Sequence, residues 1–176
     1  ESRMKVYIVD SHTYSMAEGV GVIDAKKMLA DGKTMEEVVD YLNDKYARME
    51  ILLTAYTLKI IRKSGRISAA AAIAGDLLGI HPIFTLNDGV SQVVKKVRGD
   101  KAVLGGMAGM LASRIAQGTP YYIGVSDHKY DEEYIEACTK KVGYAPAGVF
   151  HLGCAVLSNT GTEAVGVVFE GQKRER

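Results

Sequence analysis

The segment Asp10-Ser11-His12 contains the residue types of a hydrolytic triad. It follows a predicted strand and precedes a predicted helix, and ligands of open α/β sheets bind at that edge. A triad, however, is assembled from side chains that converge in space, whereas consecutive residues of an extended stretch point in different directions. The sequence therefore favours turn or cap hydrogen bonding for these three residues.

Arg66 lies at a predicted helix–loop–helix junction, between Gly65, which permits the turn, and Ser68, which would cap the next helix. A guanidinium beside the free N–H groups of a helix N-terminus favours an anion or a carboxylate. A structural arginine bonded to backbone carbonyls fits the same pattern. The residue types leave both interpretations open.

Residues 158–163 form a predicted polar loop between two apolar strands, and Asn159 and Thr160 supply amide and hydroxyl donors there. A carboxylate removed from water needs such donors, because an unpaired buried charge is very costly. An ordinary hairpin loop has the same composition, so the sequence does not decide between the two.

The densest basic segment is 95–101, in which strand alternation places Lys96 and Arg98 on one face. By itself this pattern favours a solvated strand end.

The remaining sequence excludes several classes of function. It contains no GxSxG, Walker P-loop, GxGxxG or HExxH motif, and a net charge of +1 gives no global basic field for nucleic acid. Cys138 and Cys154 lack CxxC spacing, so we expect two reduced, mostly buried thiols in a cytoplasmic protein and no metal site. No apolar run approaches the roughly 20 residues of a membrane span, and the first residues do not resemble a signal peptide.

The elements that must position these residues alternate as β-α-α-β over residues 1–56. Strand 5–9 and strand 50–55 flank two helices that begin at predicted capping boxes, Ser15–Glu18 and Thr34–Glu37. This order predicts the end of a parallel-sheet α/β domain. Because a parallel strand needs neighbours to cover it, strand 5–9 is expected to pair with an N-terminal segment of the same protein.

Residues 57–176 have a different pattern, which predicts a second, α+β domain with a mixed or antiparallel sheet and a boundary near residue 56. Asn87-Asp88-Gly89 is a strong hairpin signal between two apolar runs. The other predicted elements are helices 57–63, 69–78, 100–117 and 130–141, strands 121–126, 148–152 and 164–169, and the loop 158–163.

An ordered set of short motifs over almost the whole chain resembles the DegV family. The motifs are Val9-Asp10-Ser11, Ser15-Met16, Gly19, Ala25 to Leu29, Gly32-Lys33, Gly65-Arg66-Ile67-Ser68, Ile80-His81-Pro82-Ile83, Asp88-Gly89, Val97-Arg98-Gly99 and Lys101-Ala102. The resemblance implies two α/β domains with a fatty acid bound between them. It further implies that the acyl chain lies in an apolar tunnel of the second domain, with its carboxylate at the domain junction.

The resemblance also implies a carrier that does no chemistry itself and needs no cofactor. Its expected partners are a long-chain fatty acid, a fatty acid kinase to which that fatty acid is presented, a membrane surface in transient contact, and the family's N-terminal segment, which is absent here. The tunnel candidates, for which core packing is an equal interpretation, are Leu77, Leu78, Ile80, Ile83, Phe84, Met107, Met110 and Leu111.

For the carboxylate or the kinase-facing region, the resemblance implies Arg66, Arg98, Asn159 and Thr160. Two positions depart from the family's pattern. Asn159 replaces a histidine and can still donate a hydrogen bond. Glu163 replaces a glycine and is expected to add a negative charge near the carboxylate.

Two other classes of function compete with the carrier. An enzyme or phosphotransfer subunit on a related α/β scaffold would act on a small polar substrate, and His12 is the histidine at the predicted ligand edge. A structural or regulatory interaction domain would bind no small molecule.

Overall fold

A six-stranded mixed sheet forms the centre of the computed structural model, which describes residues 4–65, 79–87 and 89–172. The strand order is β3-β2-β1-β6-β4-β5, and all neighbours are antiparallel except β4 and β5. The strands are β1 Met49–Ala55, β2 Ile80–Asn87, β3 Val90–Arg98, β4 Tyr121–Val125, β5 Gly148–His151 and β6 Ala164–Glu170.

Helices cover both faces of the sheet. In the part of the chain that the structure describes they are α1 Met16–Ala30, α2 Met35–Arg48, α3 Lys59–Lys63, α4 Asp100–Arg114, α5 Asp131–Val142 and α6 Cys154–Thr160. None of these helices is long and apolar enough to cross a membrane.

The alternation of side chains along β1 divides the core in two. Leu52 joins the first core, which lies between the sheet and helices α4 and α5. Its neighbours Ile51 and Leu53 point to the opposite face, where a second core includes Ala17 of α1 and Tyr46 of α2. Successive strand residues face opposite sides of a sheet, so one strand supplies both cores.

Two local predictions from the sequence, a capping box and a hairpin, are confirmed. The Thr34 hydroxyl accepts from the Glu37 N–H at 3.2 Å, and the Glu37 carboxylate accepts from the Thr34 N–H at 2.9 Å, which completes the second capping box. Strands β2 and β3 pair across the predicted hairpin, and Gly89 has the positive φ of 76° that the turn requires.

Two predictions for the start of the chain are wrong. Residues 4–10 form no strand, because no described strand lies beside them to complete a hydrogen-bond ladder, and Val6 and Ile8 are 72% and 88% exposed. Ser15 precedes α1, but its side chain makes no capping bond. Its φ of 60° and ψ of −138° differ from the extended geometry that a capping serine normally has.

The parallel pairing expected for strand 50–55 is also wrong. This strand, β1, lies in the middle of the sheet and pairs antiparallel with β2 and β6. It thus shares a sheet with the second half of the chain, although the domain boundary near residue 56 stays a prediction. The predicted loop 158–163 is shorter than expected, since residues 158–160 end helix α6. The predicted helix 69–78 lies outside the described residues.

The two thiols differ in environment, which predicts different reactivity. Cys154 is exposed, whereas Cys138 is buried in the first core, and this burial raises the pKa of its thiol to about 12. Thiolate is the reactive form, so we expect one thiol per chain to react with a disulfide reagent at pH 8 in the native protein. Cys138 should react only after denaturation. Two rapidly reacting thiols in the native protein would contradict this placement.

Candidate ligand cavity

An apolar cavity of about 590 Å³ lies on the α1 side of the sheet. Its floor is formed by four buried side chains, Ile51 and Leu53 of β1 and Phe84 and Leu86 of β2. These residues share one face because β1 and β2 are adjacent antiparallel strands with Leu53 opposite Phe84. Small-molecule sites commonly have volumes of roughly 300–1,000 Å³, so this cavity has the size of a ligand site.

The walls of the cavity come from three separate parts of the chain. Ile61 of α3 and Val156 of α6 add apolar surface, and the segment 13–15 closes another side with Tyr14. Helices α3 and α6 are joined by the Ser64 hydroxyl, which donates to the Asn159 carbonyl at 3.2 Å. The cavity thus depends on contacts between residues that are far apart in sequence.

Polar groups on the cavity wall include those of the α6 C-terminus. Thr160 is buried, and its Oγ1 lies 3.1 Å from both the Val156 and the Gly161 carbonyl oxygens. A hydroxyl has one proton, so it donates to one acceptor at a time and can exchange that acceptor for a ligand oxygen. The neighbouring Asn159 amide donates to the Ala155 carbonyl at 2.9 Å. This part of the wall can offer hydrogen bonds to a polar head group.

The structure brings some of the predicted site residues together and separates others. Asn159, Thr160 and Phe84 line the cavity. Arg98 is exposed at the end of β3 and lines neither this cavity nor the polar cleft described below. Arg66, Leu77 and Leu78 lie outside the described residues.

The remaining tunnel candidates lie away from the cavity. Ile83, Met107 and Leu111 are fully buried in the first core, on the opposite face of the sheet, and Met110 packs against that core. Ile80 is half-buried at the start of β2. Four cavity residues, Ile51, Leu53, Tyr14 and Val156, were not among the predicted site residues, although the alternation along strand 50–55 indicated that the first two share one face.

A second, polar cleft of about 490 Å³ lies at the other end of the loop that follows α6. Tyr56 and His128 stack there with ring centroids 4.0 Å apart, and burial raises the pKa of the Tyr56 hydroxyl. Glu163, expected near the carboxylate, lines this cleft instead. Among the described residues, no group of three or more histidine, cysteine, aspartate or glutamate side chains is placed to hold a metal ion.

The predicted turn at Asp10-Ser11-His12 is confirmed. The Asp10 carboxylate accepts from the His12 N–H at 2.9 Å, and the Ser11 hydroxyl accepts from the Thr13 N–H at 3.3 Å. These bonds engage the aspartate and the serine locally, and His12 does not line the apolar cavity.

Comparison with known proteins agrees with the resemblance in the sequence. The sequence profile of the family described as "uncharacterised protein, DegV family" matches residues 1–172. This chain belongs to the DegV family. A DegV domain-containing protein of Deinococcus radiodurans is 27% identical over 169 residues, which cover 94% of this chain and 60% of that protein. The chain therefore spans about 60% of the length of this DegV relative.

Solved DegV structures have the same fold. A DegV family protein from Eubacterium eligens loaded with heptadecanoic acid superposes with a TM-score of 0.83 at 20% identity, covering 96% of this chain and 62% of that chain. A fatty-acid-binding DegV protein from Streptococcus agalactiae gives 0.83 at 24% identity, covering 94% and 60%. The mixed α/β fold implied by the DegV resemblance is thereby confirmed.

Proposed function

We propose that this DegV chain binds one long-chain fatty acid in the apolar cavity, with the carboxylate at the α6 end beside Asn159 and Thr160. The observation that carries the proposal is the combination of an apolar floor with hydrogen-bonding groups on the wall of one ligand-sized cavity. DegV relatives that bind fatty acids support it, as does the shared fold.

The proposed ligand matches the energetics of this lining. Each methylene removed from water contributes about 0.8 kcal/mol, so a long acyl chain binds through apolar contact with residues such as Leu53 and Phe84. Only the carboxylate then needs polar partners. A protein of this kind requires few residues with distinctive chemistry, which agrees with the absence of enzyme motifs from the sequence.

In this proposal the protein is a carrier in the cytoplasm, without a cofactor, and the chemistry belongs to its partner. A fatty acid kinase would receive the bound fatty acid, and a membrane surface would supply it. In this proposal Arg98, which is exposed at the end of β3, contacts the partner rather than the ligand in the cavity. The structure gives no support to the competing hypothesis of a catalytic His12, because His12 does not line the cavity.

We also propose where an N-terminal segment of the DegV family would pack. The segment 4–10 exposes Met4, Val6 and Ile8, of which Val6 and Ile8 were predicted to lie in a strand. An N-terminal DegV segment that supplies neighbouring strands would cover these side chains and add hydroxyl groups to the carboxylate site.

The head-group assignment predicts a selective defect in Thr160→Val. A hydrogen bond to a charged group contributes about 1.5–3 kcal/mol, so affinity for palmitate should fall roughly 10- to 100-fold. Valine keeps the shape of threonine, so affinity for methyl palmitate, which lacks the charge, should change much less. Displacement of a fluorescent fatty acid measures both constants.

Ser158→Val is the matched control for this titration, because Ser158 is exposed on the same helix and does not line the cavity, and it should leave the affinity for palmitate unchanged. If Thr160→Val lowered the affinity for the acid and for the ester equally, this would contradict the placement of the carboxylate at the α6 end. An absence of palmitate binding in the unmodified protein would contradict the proposed function itself.

A further inference from the structure

The segment that leads into α1 forms one wall of the cavity and is strained at both ends. Thr13, Tyr14 and Ser15 line the cavity, and Tyr14 packs against the second core. His12 has a φ of 50° and Ser15 a φ of 60°, values that residues other than glycine seldom adopt. Backbone strain of this kind persists only where surrounding contacts hold the chain in place.

Helix α1, which follows this wall, is tied to the rest of the fold by a buried lysine of α2. Lys45 is only 6% exposed, and its ammonium group lies 3.0 Å from the Asp24 carboxylate of α1 and 2.6 Å from the Glu170 carboxylate of β6. The Tyr41 hydroxyl also donates to Asp24, at 2.8 Å. One side chain thereby ties α1 to the sheet through charged groups largely removed from water.

Close packing between α1 and α2 fixes the same helix from a second direction. The Tyr46 hydroxyl donates to the Glu18 carbonyl at 3.0 Å, and a Cβ atom at Gly21 would overlap that hydroxyl. Before the wall, in contrast, Lys5 and Tyr7 reach Glu36 through exposed contacts only. Val9, just before the wall, packs against the second core, whereas the buried charged contacts lie on the α1 side of the wall.

We infer that residues 13–15 form a gate of the cavity and that the Asp24–Lys45–Glu170 cluster holds α1, and with it the gate, against the sheet. The inference rests on the proposed function, because it concerns how the fatty acid enters and leaves. Strain at His12 and Ser15 favours detachment of the wall, and the buried cluster opposes it.

Asp24→Ala tests the gate, because it releases α1 from Lys45 and leaves the Lys45–Glu170 pair intact. Stopped-flow mixing with a fluorescent fatty acid should show association and dissociation rates that both rise about 10-fold, with a Kd changed less than threefold. Loss of structure alone would weaken the Kd without accelerating association. Asp40→Ala, at an exposed position of α2, is the matched control and should leave both rates unchanged.

A second measurement tests the gate without any ligand. Hydrogen exchange of the α1 amides should be at least 10-fold faster in Asp24→Ala than in Asp40→Ala, while β1 remains equally protected in both. Tyr41→Phe removes only one hydrogen bond to Asp24 and should give an intermediate effect, which keeps the test available if Asp24→Ala folds poorly.

The outcomes separate the two proposals. An unmodified protein that binds no fatty acid would overturn the proposed function. The hydrogen-exchange experiment would still test the gate in that case. Normal binding combined with unchanged rates and unchanged α1 exchange in the variants would overturn the gate alone.

Discussion

Replacing Val156 with tryptophan is expected to weaken fatty-acid binding by about 100-fold while the protein remains folded. Val156 is half-buried on the cavity wall, so the larger side chain has room to extend into the space assigned to the ligand. Displacing three or four methylenes from the wall costs about 0.8 kcal/mol each, which corresponds to a loss of two orders of magnitude. Displacement of a fluorescent fatty acid by palmitate measures the change.

Ser158→Trp is the matched control for this substitution. Ser158 belongs to the same helix, is exposed and does not line the cavity, so its variant should bind palmitate like the unmodified protein. Thermal unfolding of both variants shows whether each remains folded. Unimpaired binding in a folded Val156→Trp variant would place the acyl chain outside this cavity.

Lys45→Met is expected to lower the free energy of unfolding by about 3 kcal/mol. Removing one partner of a buried ion pair leaves an uncompensated charge, at a cost of about 3–5 kcal/mol, and the lower end applies because Asp24 and Glu170 are each about one-fifth exposed. Urea unfolding followed by circular dichroism measures the difference. Lys33→Met removes an exposed pair with Glu37 and should change stability by less than about 0.5 kcal/mol.

The effect of Lys45 should also depend on pH at the alkaline end. Burial lowers the pKa of Lys45, but hydrogen bonds to Glu170 and Asp24 more than offset it, so the pKa lies above its usual value of 10.5. A raised pKa contributes stability that is fully present below 10.5 and is lost as pH rises through the folded-state pKa. The stability difference between the unmodified protein and Lys45→Met should thus be constant from pH 7 to 9.5 and shrink above. If this stability difference instead decreased as the pH was lowered through neutrality, the result would contradict the assignment to Lys45.

Structural elements that depend on a few neighbouring residues could be predicted from the sequence. The Thr34–Glu37 capping box and the hairpin at Gly89 depend on local backbone geometry, and both formed where the pattern indicated. The same holds for α4 and α5, whose bounds differ little from the predicted ones. Turn bonding at Asp10-Ser11-His12 belongs to this group as well.

Features set by distant partners did not follow from the sequence. Strand 50–55 has an apolar pattern that fits either pairing direction, and its antiparallel partners come from residues 80–87 and 164–170. The cavity floor depends on which face of strand 50–55 the helices leave partly open, and the sequence does not show this. Leu53 was therefore not predicted to line the cavity, although Phe84 was. Ile83, adjacent to Phe84, points to the opposite core because neighbouring strand residues alternate.

The most direct test of the central claim is native mass spectrometry of the purified protein after incubation with palmitate, followed by organic extraction. We expect a complex with one fatty acid per chain, and an extracted acid that is reduced in amount in Val156→Trp and retained in Ser158→Trp. A folded protein that stays free of fatty acid at saturating palmitate, or that binds it equally in Val156→Trp, would contradict the assignment of the apolar cavity as a fatty-acid site.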